Sequence, residues 1–483
     1  MKKHKTIYLA LAGLLCLSIM VSSCKKDFKE INTNPNTSEF ALPEALLARA
    51  LASTVEANMN RSQRVNNELM QVTVNMGDTE GKIFRYEIRT SEADYLWNAW
   101  YTQLTNFKDI YKGGEDYSNN TFMGISLICQ AWIYSMLTDT YGDIPYFQAN
   151  MAKEGIYQPV FDRQKDIYID ILDKLEQANL LLKTGANIPA FSDPVYGGVA
   201  ANWRKFGNSL YLRLLLRVSA KAEIDAVSKI KEIIDTNPGE YPIISKNDES
   251  AILRWTGKAP YNSPFSTWRE GDWRAPKLTT FFVDTLTEMS DTRIQKWATL
   301  YEGEYGGVPS GYAPGTAPVA KSYLPLTLMS EPLLGNILNY SEVQFIIAEA
   351  AAKGWVSKSA EEAYRKGVES NFALWGFEVP ANYFTYDMVK WAENNLDRQM
   401  ELIHRQKYYA LFFTDMEQWF EYRRTGHPVL QQGAGLGNGG VMPARLMYPV
   451  YVQSANSKNY KDAVAVQGPD VISTQVWWQR TND

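Results

Sequence analysis

The chain has 483 residues, of which 45% are hydrophobic and 21% are charged, and this composition excludes a disordered or fibrous protein. The formal net charge is −5 and becomes about −8 without the three lysines of the N-terminal segment, which does not favour nucleic-acid binding. Aromatic residues make up a high 13%, and such residues either fill a core or stack on a planar or sugar ligand.

The first residues predict export and lipid attachment. Met1 to Ser23 has three lysines, an apolar run and then small residues, as in a secretory signal that is too short to be a membrane span. The sequence VSSC at 21–24 resembles a bacterial lipobox, in which cleavage precedes the cysteine and its thiol is acylated. We therefore expect Cys24 to anchor the mature chain to a membrane, with an ordinary secretion signal as the alternative.

Cysteine content agrees with that expectation. Cys16 is lost with the signal and Cys24 is acylated, so Cys129 alone remains and no internal disulfide can form. Cys129 lies in an apolar run, which favours inert packing. The polar, turn-rich residues 24–40 predict a tether, and residues 41–483 predict a single domain.

Helical periodicity dominates the first half of the domain and recurs later as a hairpin. The predicted helices are Pro43 to Met70, Glu92 to Tyr111, Phe122 to Asp139, Gln164 to Lys183, Trp203 to Ser219 and Ile224 to Asp235. In the second half, Ser341 and Ser359 are the expected caps of two helices that end near Gly354 and Gly376. This hairpin spans about 35 residues, near the tetratricopeptide period, so we predict an all-α scaffold of stacked helix pairs.

The segment Leu396 to Pro428 has the most consistent local signals. It contains no Gly or Pro before Gly426, and apolar residues recur at helical spacing around most of its circumference. We predict one continuous buried helix here, ending at Gly426 with Arg423 and Arg424 at its carboxyl end.

The middle of the chain, about 243–335, is rich in Gly, Pro and aromatic residues. This composition predicts a non-helical lobe of long loops, and such loops usually carry function. The candidate ligand-binding residues are Tyr261, Trp268, Arg269, Asp272, Trp273 and Arg274, with Tyr305 and Tyr312 as second candidates. Indole rings stack on the C–H faces of sugars, and charged side chains bind the hydroxyls. The alternative is that Trp268 and Trp273 fill the small core of the lobe.

Catalytic motifs are scarce. His404 and His427 lie in no metal-binding motif, so neither a metal nor a cofactor is expected. The GxGxxG pattern at 435–440 follows no predicted strand and precedes no predicted helix, which indicates a loop. A hydrolase would need a second acid beside Asp272, such as Glu270 or Glu304, because glycosidases use two facing carboxylates.

Four stretches of the chain resemble the SusD/RagB family of Bacteroidetes outer-membrane lipoproteins. The most specific is QKYYALFFTDMEQWFEYRRTGHP at 406–428, and the others are DFKEINTNPN at 27–36, NWRKFGNSLYLRLLLRVS at 202–219 and NYSEVQFIIAEAAAKGW at 339–355. The resemblance implies tetratricopeptide-like helical units that support a loop-rich ligand-binding lobe.

It also implies a cell-surface protein that binds a nutrient, chiefly an oligosaccharide, and delivers it to a SusC-like, TonB-dependent β-barrel transporter. Three alternatives remain open: a peptide or glycopeptide ligand, a lipid-anchored glycan hydrolase, and a purely structural partner of the barrel. We expect a binding protein rather than an enzyme.

Overall fold

The computed structural model describes residues 42–76 and 82–480. The predicted signal, the predicted acylation site Cys24 and the predicted tether lie outside the described residues. Within the described ranges one helix, Asn120–Tyr141, is long and apolar enough to cross a membrane. Of its most apolar 18-residue window, 94% is buried inside the fold, as in the core helix of a globular protein.

The structure is a mainly α-helical scaffold with four very short strands in the part described. The labelled helices are α1 Pro43–Arg61, α2 Ser91–Asp116, α3 Asn120–Tyr141, α4 Gln164–Lys183, α5 Ala200–Arg217, α6 Ala226–Lys231, α7 Glu270–Arg274, α8 Thr280–Glu288, α9 Ile294–Trp297, α10 Tyr340–Ala352, α11 Ala360–Leu374, α12 Leu396–Ala410, α13 Glu417–Thr425, α14 Val450–Ala455 and α15 Ser457–Gln467. A π-helical turn, Ser62–Asn66, and a short α-helical turn, Asn67–Leu69, continue α1. The strands are β1 Thr73–Asn75, β2 Ala251–Ile252, β3 Pro276–Leu278 and β4 Asn336–Leu338.

The helices of the scaffold pack in sequence order, each of α1 to α5 against the next. Glycines lie where two helices come close. A Cβ at Gly124 of α3 would lie 2.6 Å from Leu182 of α4, and one at Gly207 of α5 would lie 2.7 Å from Ile128 of α3. Cys129 is buried in this core, and burial raises the pKa of its thiol well above the usual value, as inert packing requires.

The predicted helical hairpin is α10 and α11. The Ser359 side chain caps α11 by accepting a bond from Glu362 N, as expected. The predicted cap of α10 was wrong, because Asn339 caps it by accepting a bond from Glu342 N at 2.9 Å. Ser341 instead lies inside the helix and donates to the Gly367 carbonyl of α11 at 2.5 Å, which joins the pair.

The prediction of one continuous helix over 396–425 was also wrong. The chain leaves the helix after Ala410 and re-enters it at Glu417, with Phe413 and Asp415 at positive φ. The break is stabilised by the buried Asp415 carboxylate, which accepts bonds from Asn58 Nδ2 at 2.7 Å and Trp132 Nε1 at 2.8 Å. These bonds join residues that are far apart in the sequence, and they outweigh the local helix propensity of this stretch. Neighbouring residues alone therefore cannot reveal the break.

The prediction of a non-helical lobe over 243–335 was wrong, because α7, α8 and α9 lie within it. The helices α8 and α9 form between residues 277 and 302, a stretch without Gly or Pro inside the Gly/Pro-rich region. Thr279 caps α8 by accepting a bond from Phe282 N at 3.1 Å. The high Gly and Pro content of the lobe as a whole does not apply to this stretch, and the prediction did not consider the stretch separately.

Short antiparallel pairs attach the lobe to the scaffold. The strand β1 pairs with β3, so that Thr73 lies opposite Leu278 and Asn75 opposite Pro276. The strand β2 pairs with β4, immediately before α10. The turn that precedes β3, which carries the candidate ligand residues, is therefore fixed at its carboxyl end by a sheet.

Candidate functional site

A buried network of ion pairs occupies the junction of α5, α10 and α13. Arg217 of α5 binds Asp139 and Glu417, each at 2.5 Å. Arg213, one turn earlier, binds Glu342 of α10 through two nitrogens at 2.7 and 2.6 Å. All of these side chains are nearly inaccessible to water. Buried charges persist only when they are paired, so this network holds the helices in a specific arrangement.

The network continues around Arg424 of α13. Its guanidinium binds Glu349 at 2.8 and 2.7 Å and Glu421 at 2.9 Å, while Lys407 binds Glu421 at 2.6 Å. Burial alone would raise the pKa of Glu349, but the Arg424 guanidinium holds it well below its usual range. Two carboxylates are therefore kept ionised inside the protein.

His404 completes a cluster whose ligand atoms resemble a metal site. The nearest donor atoms of Glu349, His404 and Glu421 lie within 4.8 Å of one another. Burial lowers the pKa of His404 to about 3, so the imidazole is neutral at pH 7. Because both carboxylates already bind Arg424, the donor set fits an ion-pair network better than a cation site.

The candidate ligand residues lie on a compact turn, residues 256–274, which we call the Trp268 turn. The chain first reverses at 256–261, where Thr256 N donates to Tyr261 O at 2.9 Å and Tyr261 N donates to Lys258 O at 2.8 Å. A 3₁₀ turn, Pro264–Thr267, follows and leads through Trp268 into α7. The turn is thus held by its own backbone bonds.

Trp273 anchors the Trp268 turn to the lobe. Its side chain is 1% exposed, donates from Nε1 to Leu324 O at 2.9 Å and packs 5.0 Å from the Phe265 ring. The structure therefore shows for Trp273 the core-filling role that the sequence left open. Trp268 differs because it is only partly buried, with its ring edge-to-face with Phe265 at 5.1 Å.

Polar side chains surround Trp268 on the surface. Arg269 and Asp272 are exposed, and neither side chain has a hydrogen-bond partner among the residues described. Arg274 is exposed and pairs with Glu270 at 3.0 Å. Tyr261 is partly buried, and burial raises the pKa of its phenol, so the hydroxyl remains a neutral donor. The turn therefore offers one indole surface with hydrogen-bond donors and acceptors around it.

Tyr312 belongs to a separate cluster. Its ring lies 5.0 Å from Phe84 and packs with Val74 and Val308. Tyr305 is partly buried at the edge of the main core. Both tyrosines lie in the loops between α9 and β4, and the structure places neither in contact with the Trp268 ring in the ring pairs it shows.

Sequence reasoning missed Phe84, Arg85 and the role of the glycine-rich segment 433–440. Gly435 N donates to Gly311 O at 2.7 Å, and Gly437 N donates to Arg85 O at 2.8 Å. A Cβ at Gly433 would lie 2.2 Å from Gly311 O, so the two loops meet backbone to backbone. The glycines therefore serve close loop packing, and no local pattern identifies their partner.

Three carboxylates of the lobe, Asp272, Glu270 and Glu304, are the candidates for an acid pair in hydrolysis. Asp272, Glu270 and Glu304 are all solvent-exposed, and Glu270 is paired with Arg274. A glycosidase general acid is usually kept protonated by an apolar pocket. The geometry of this lobe fits binding better than turnover.

Solved structures with this fold identify its class. The chain matches a SusD homologue from Bacteroides fragilis (23% identity, 92% of this chain and 100% of that chain, TM-score 0.77). It also matches a SusD homologue from Bacteroides uniformis (23%, 91% and 99%, TM-score 0.79) and a chitin-binding SusD homologue from Flavobacterium johnsoniae (20%, 91% and 99%, TM-score 0.80). The fold is therefore the helical SusD fold.

The sequence itself places the chain in a family. Residues 35–449 match the SusD-like family model described as "Starch-binding associating with outer membrane". The chain belongs to this SusD-like family, as the four sequence stretches predicted. A comparison with curated protein sequences finds no match.

Proposed function

We propose that this protein captures an oligosaccharide at the cell surface and passes it to a SusC-like, TonB-dependent β-barrel transporter. The observation that carries the proposal is Trp268, a partly exposed indole on a turn held by its own backbone bonds. Arg269 and Asp272 beside it are exposed and have no side-chain hydrogen-bond partner among the described residues. The family description and the chitin-binding relative support a carbohydrate ligand. Cys24 supplies the lipid anchor at the outer membrane.

The ligand stacks on Trp268. The C–H face of a pyranose ring is apolar and matches an indole, while Arg269 donates to sugar hydroxyls and Asp272 accepts from them. Arg274 and Tyr261 lie on the same turn and extend the polar contacts. Trp273 supports this surface from below through its bond to Leu324 O. Tyr305 and Tyr312 provide a second contact area for a longer chain.

Titration calorimetry on a chain that starts after Cys24 tests the proposal. Maltoheptaose and chitohexaose are the first ligands, and a mixed tripeptide to hexapeptide panel is the comparator. We expect saturable binding of at least one oligosaccharide, with the ligand recovered intact by chromatography. Saturable binding of peptides but of neither oligosaccharide would mean that the ligand is a peptide and not a carbohydrate.

The same samples test the hydrolase alternative. Cleavage products that disappear in Asp272→Asn would contradict the binding function. Glu288→Gln is the matched control, because Glu288 is an exposed carboxylate at the end of α8 and outside the Trp268 turn.

A further inference from the structure

A second aromatic cleft lies outside the loop lobe, between α2, the segment 145–159 and α14. We call it the α2–α14 cleft, and its volume is about 280 Å³. Trp97 and Tyr101 of α2, Tyr157 of the segment, and Tyr451 of α14 line it. No local sequence pattern connects these residues, because Trp97 and Tyr451 are 354 positions apart.

The floor of the cleft is an apolar aromatic surface. Trp97 and Tyr101 have ring centroids 5.0 Å apart, and the Tyr101 hydroxyl donates to Pro145 O at 2.6 Å. Because that hydroxyl is already bonded, the rings of the floor present mainly carbon to the cleft. This is the surface that a sugar C–H face or another ring requires.

The rim carries exposed aromatic rings that contribute little to folding. Tyr157 is 78% exposed and makes no ring contact or side-chain hydrogen bond with the residues described. Tyr451 is 43% exposed, and its hydroxyl donates to Asn98 Oδ1 at 2.5 Å. Single exposed aromatics are common, but two at the mouth of an aromatic-floored cleft form a ligand-binding arrangement.

The polar side chains of the cleft are amides and tyrosine hydroxyls, and no charged side chain in the described part of the chain lines it. Asn150, at φ 64°, donates from Nδ2 to Tyr101 O at 2.9 Å and to Thr105 Oγ1 at 2.7 Å. Its Oδ1 has no donor among the described residues, so it is a fixed acceptor. By contrast, a slot of about 300 Å³ elsewhere is lined by charged side chains of both signs, namely Arg163, Lys165, Arg480, Asp143 and Asp166. Charge complementarity therefore assigns a neutral ligand to the α2–α14 cleft.

We propose that the α2–α14 cleft is a second carbohydrate site that takes one neutral pyranose unit. The sugar stacks on Tyr157 above the Trp97 floor, and one hydroxyl donates to Asn150 Oδ1. A cleft near the small end of ligand-pocket sizes suits a single ring. The choice of a sugar rests on the proposed function. Two sites on one protein would hold a long glycan at two points and raise its apparent affinity.

Calorimetric titration with chitohexaose and maltoheptaose tests the second site, using the chain that starts after Cys24. The variants are Tyr157→Ala, Trp268→Ala and the double variant. Tyr117→Ala is the matched control, because Tyr117 is a tyrosine with 66% exposure that does not line the cleft. The exposure of Tyr157 leaves the fold intact in Tyr157→Ala, which thermal unfolding checks.

We expect Trp268→Ala to retain weaker saturable binding, which the double variant lowers at least tenfold further, while Tyr117→Ala stays within twofold of wild type. Complete loss in Trp268→Ala, with Tyr157→Ala equal to wild type, would overturn the second site and leave the proposed function standing. Loss in Tyr157→Ala with none in Trp268→Ala would support the cleft and overturn the Trp268 assignment. No saturable binding of either glycan to wild type would overturn both.

Discussion

The ion-pair network and the Trp268 turn place the same kinds of side chain in opposite environments. At the junction of α5 and α13, Arg217 and Arg424 are buried and form ion pairs with carboxylates. On the Trp268 turn, Arg269 and Asp272 are exposed, with no side-chain hydrogen-bond partner among the described residues. Charged side chains therefore hold the helices of the scaffold together in the ion-pair network, whereas those of the Trp268 turn are exposed to solvent.

The largest effect separating the two regions is expected for Arg217→Met. Removing this guanidinium leaves buried Asp139 without its paired cation, and leaves Glu417 with only Arg213 at 3.7 Å. Breaking a buried pair by removing one partner destabilises by about 3–5 kcal/mol. Urea unfolding should show this loss, whereas Lys458→Met at the exposed pair with Asp462 should change stability by less than about 1 kcal/mol. Similar losses in both variants would contradict the structural role of the network.

The two tryptophans of the Trp268 turn should differ in how much they contribute to stability. Trp273→Ala leaves a cavity beside Phe265 and should cost about 3–5 kcal/mol of unfolding free energy. Trp268→Ala should cost less than half of that, because its side chain is already partly in water. Urea denaturation of both variants measures the difference. Equal losses would mean that Trp268 is a core residue and not a ligand platform.

The break between α12 and α13 should depend on Asp415. In Asp415→Ala, Asn58 Nδ2 and Trp132 Nε1 lose their acceptor inside the core, and we expect a loss of about 2 kcal/mol. Asp415→Asn is the control, because it keeps one acceptor and tolerates positive φ. Its unfolding free energy should fall by less than half as much. A loss well below about 2 kcal/mol in Asp415→Ala would show that the break between α12 and α13 has another cause.

The last expected effect is a pH dependence carried by His404, which is spread over several pH units. Burial lowers its pKa to about 3 in the folded protein, against about 6.5 when unfolded. The unfolded state therefore binds a proton first, and stability is lost as the pH falls from about 6.5 towards 3, by up to about 1.4 kcal/mol per pH unit. In His404→Gln this part of the profile should flatten. Glu349, Glu421, Arg424 and Lys407 face the imidazole and remain in both proteins.

Asp415 contributes to the same profile with the opposite sign. Burial raises the pKa of its carboxyl to about 7, so the folded state takes up this proton before the unfolded state does. The difference between wild type and His404→Gln removes that contribution, since Asp415 is present in both. Parallel profiles of the two proteins from pH 6.5 to 4 would contradict the neutral, buried histidine.

Local sequence signals predicted most of the scaffold, because they coincide with its contacts. The helix Gln164–Lys183 was predicted to the residue, and Ser359 caps α11 as expected. The break at Asp415 could not be predicted, since it depends on Asn58 and Trp132, which are hundreds of positions away. Ordinary helix periodicity continued through this stretch, and only tertiary contacts interrupt it.

The candidate site was harder to predict for a related reason. The aromatic and charged residues of the loop directed the prediction to the Trp268 turn. They did not show which of Trp268 and Trp273 is exposed, because the burial of Trp273 depends on its contacts with Leu324 and Phe265. The α2–α14 cleft could be predicted least of all, because it is formed by segments that are far apart in the sequence. Trp97 and Tyr101 lie on α2, whereas their neighbour Tyr157 lies in a loop more than 50 positions further along the chain.

The most direct test of the account is the ratio of oligosaccharide affinities of wild type and Trp268→Ala. Trp355→Ala is the matched control, because Trp355 is also partly buried but lies between α10 and α11, on the scaffold. The loss of one stacking contact, about 1.4 kcal/mol, predicts about tenfold weaker binding in Trp268→Ala. Trp355→Ala should bind as wild type does. Equal affinities of all three proteins for a bound oligosaccharide would contradict the assignment of the ligand site to the Trp268 turn.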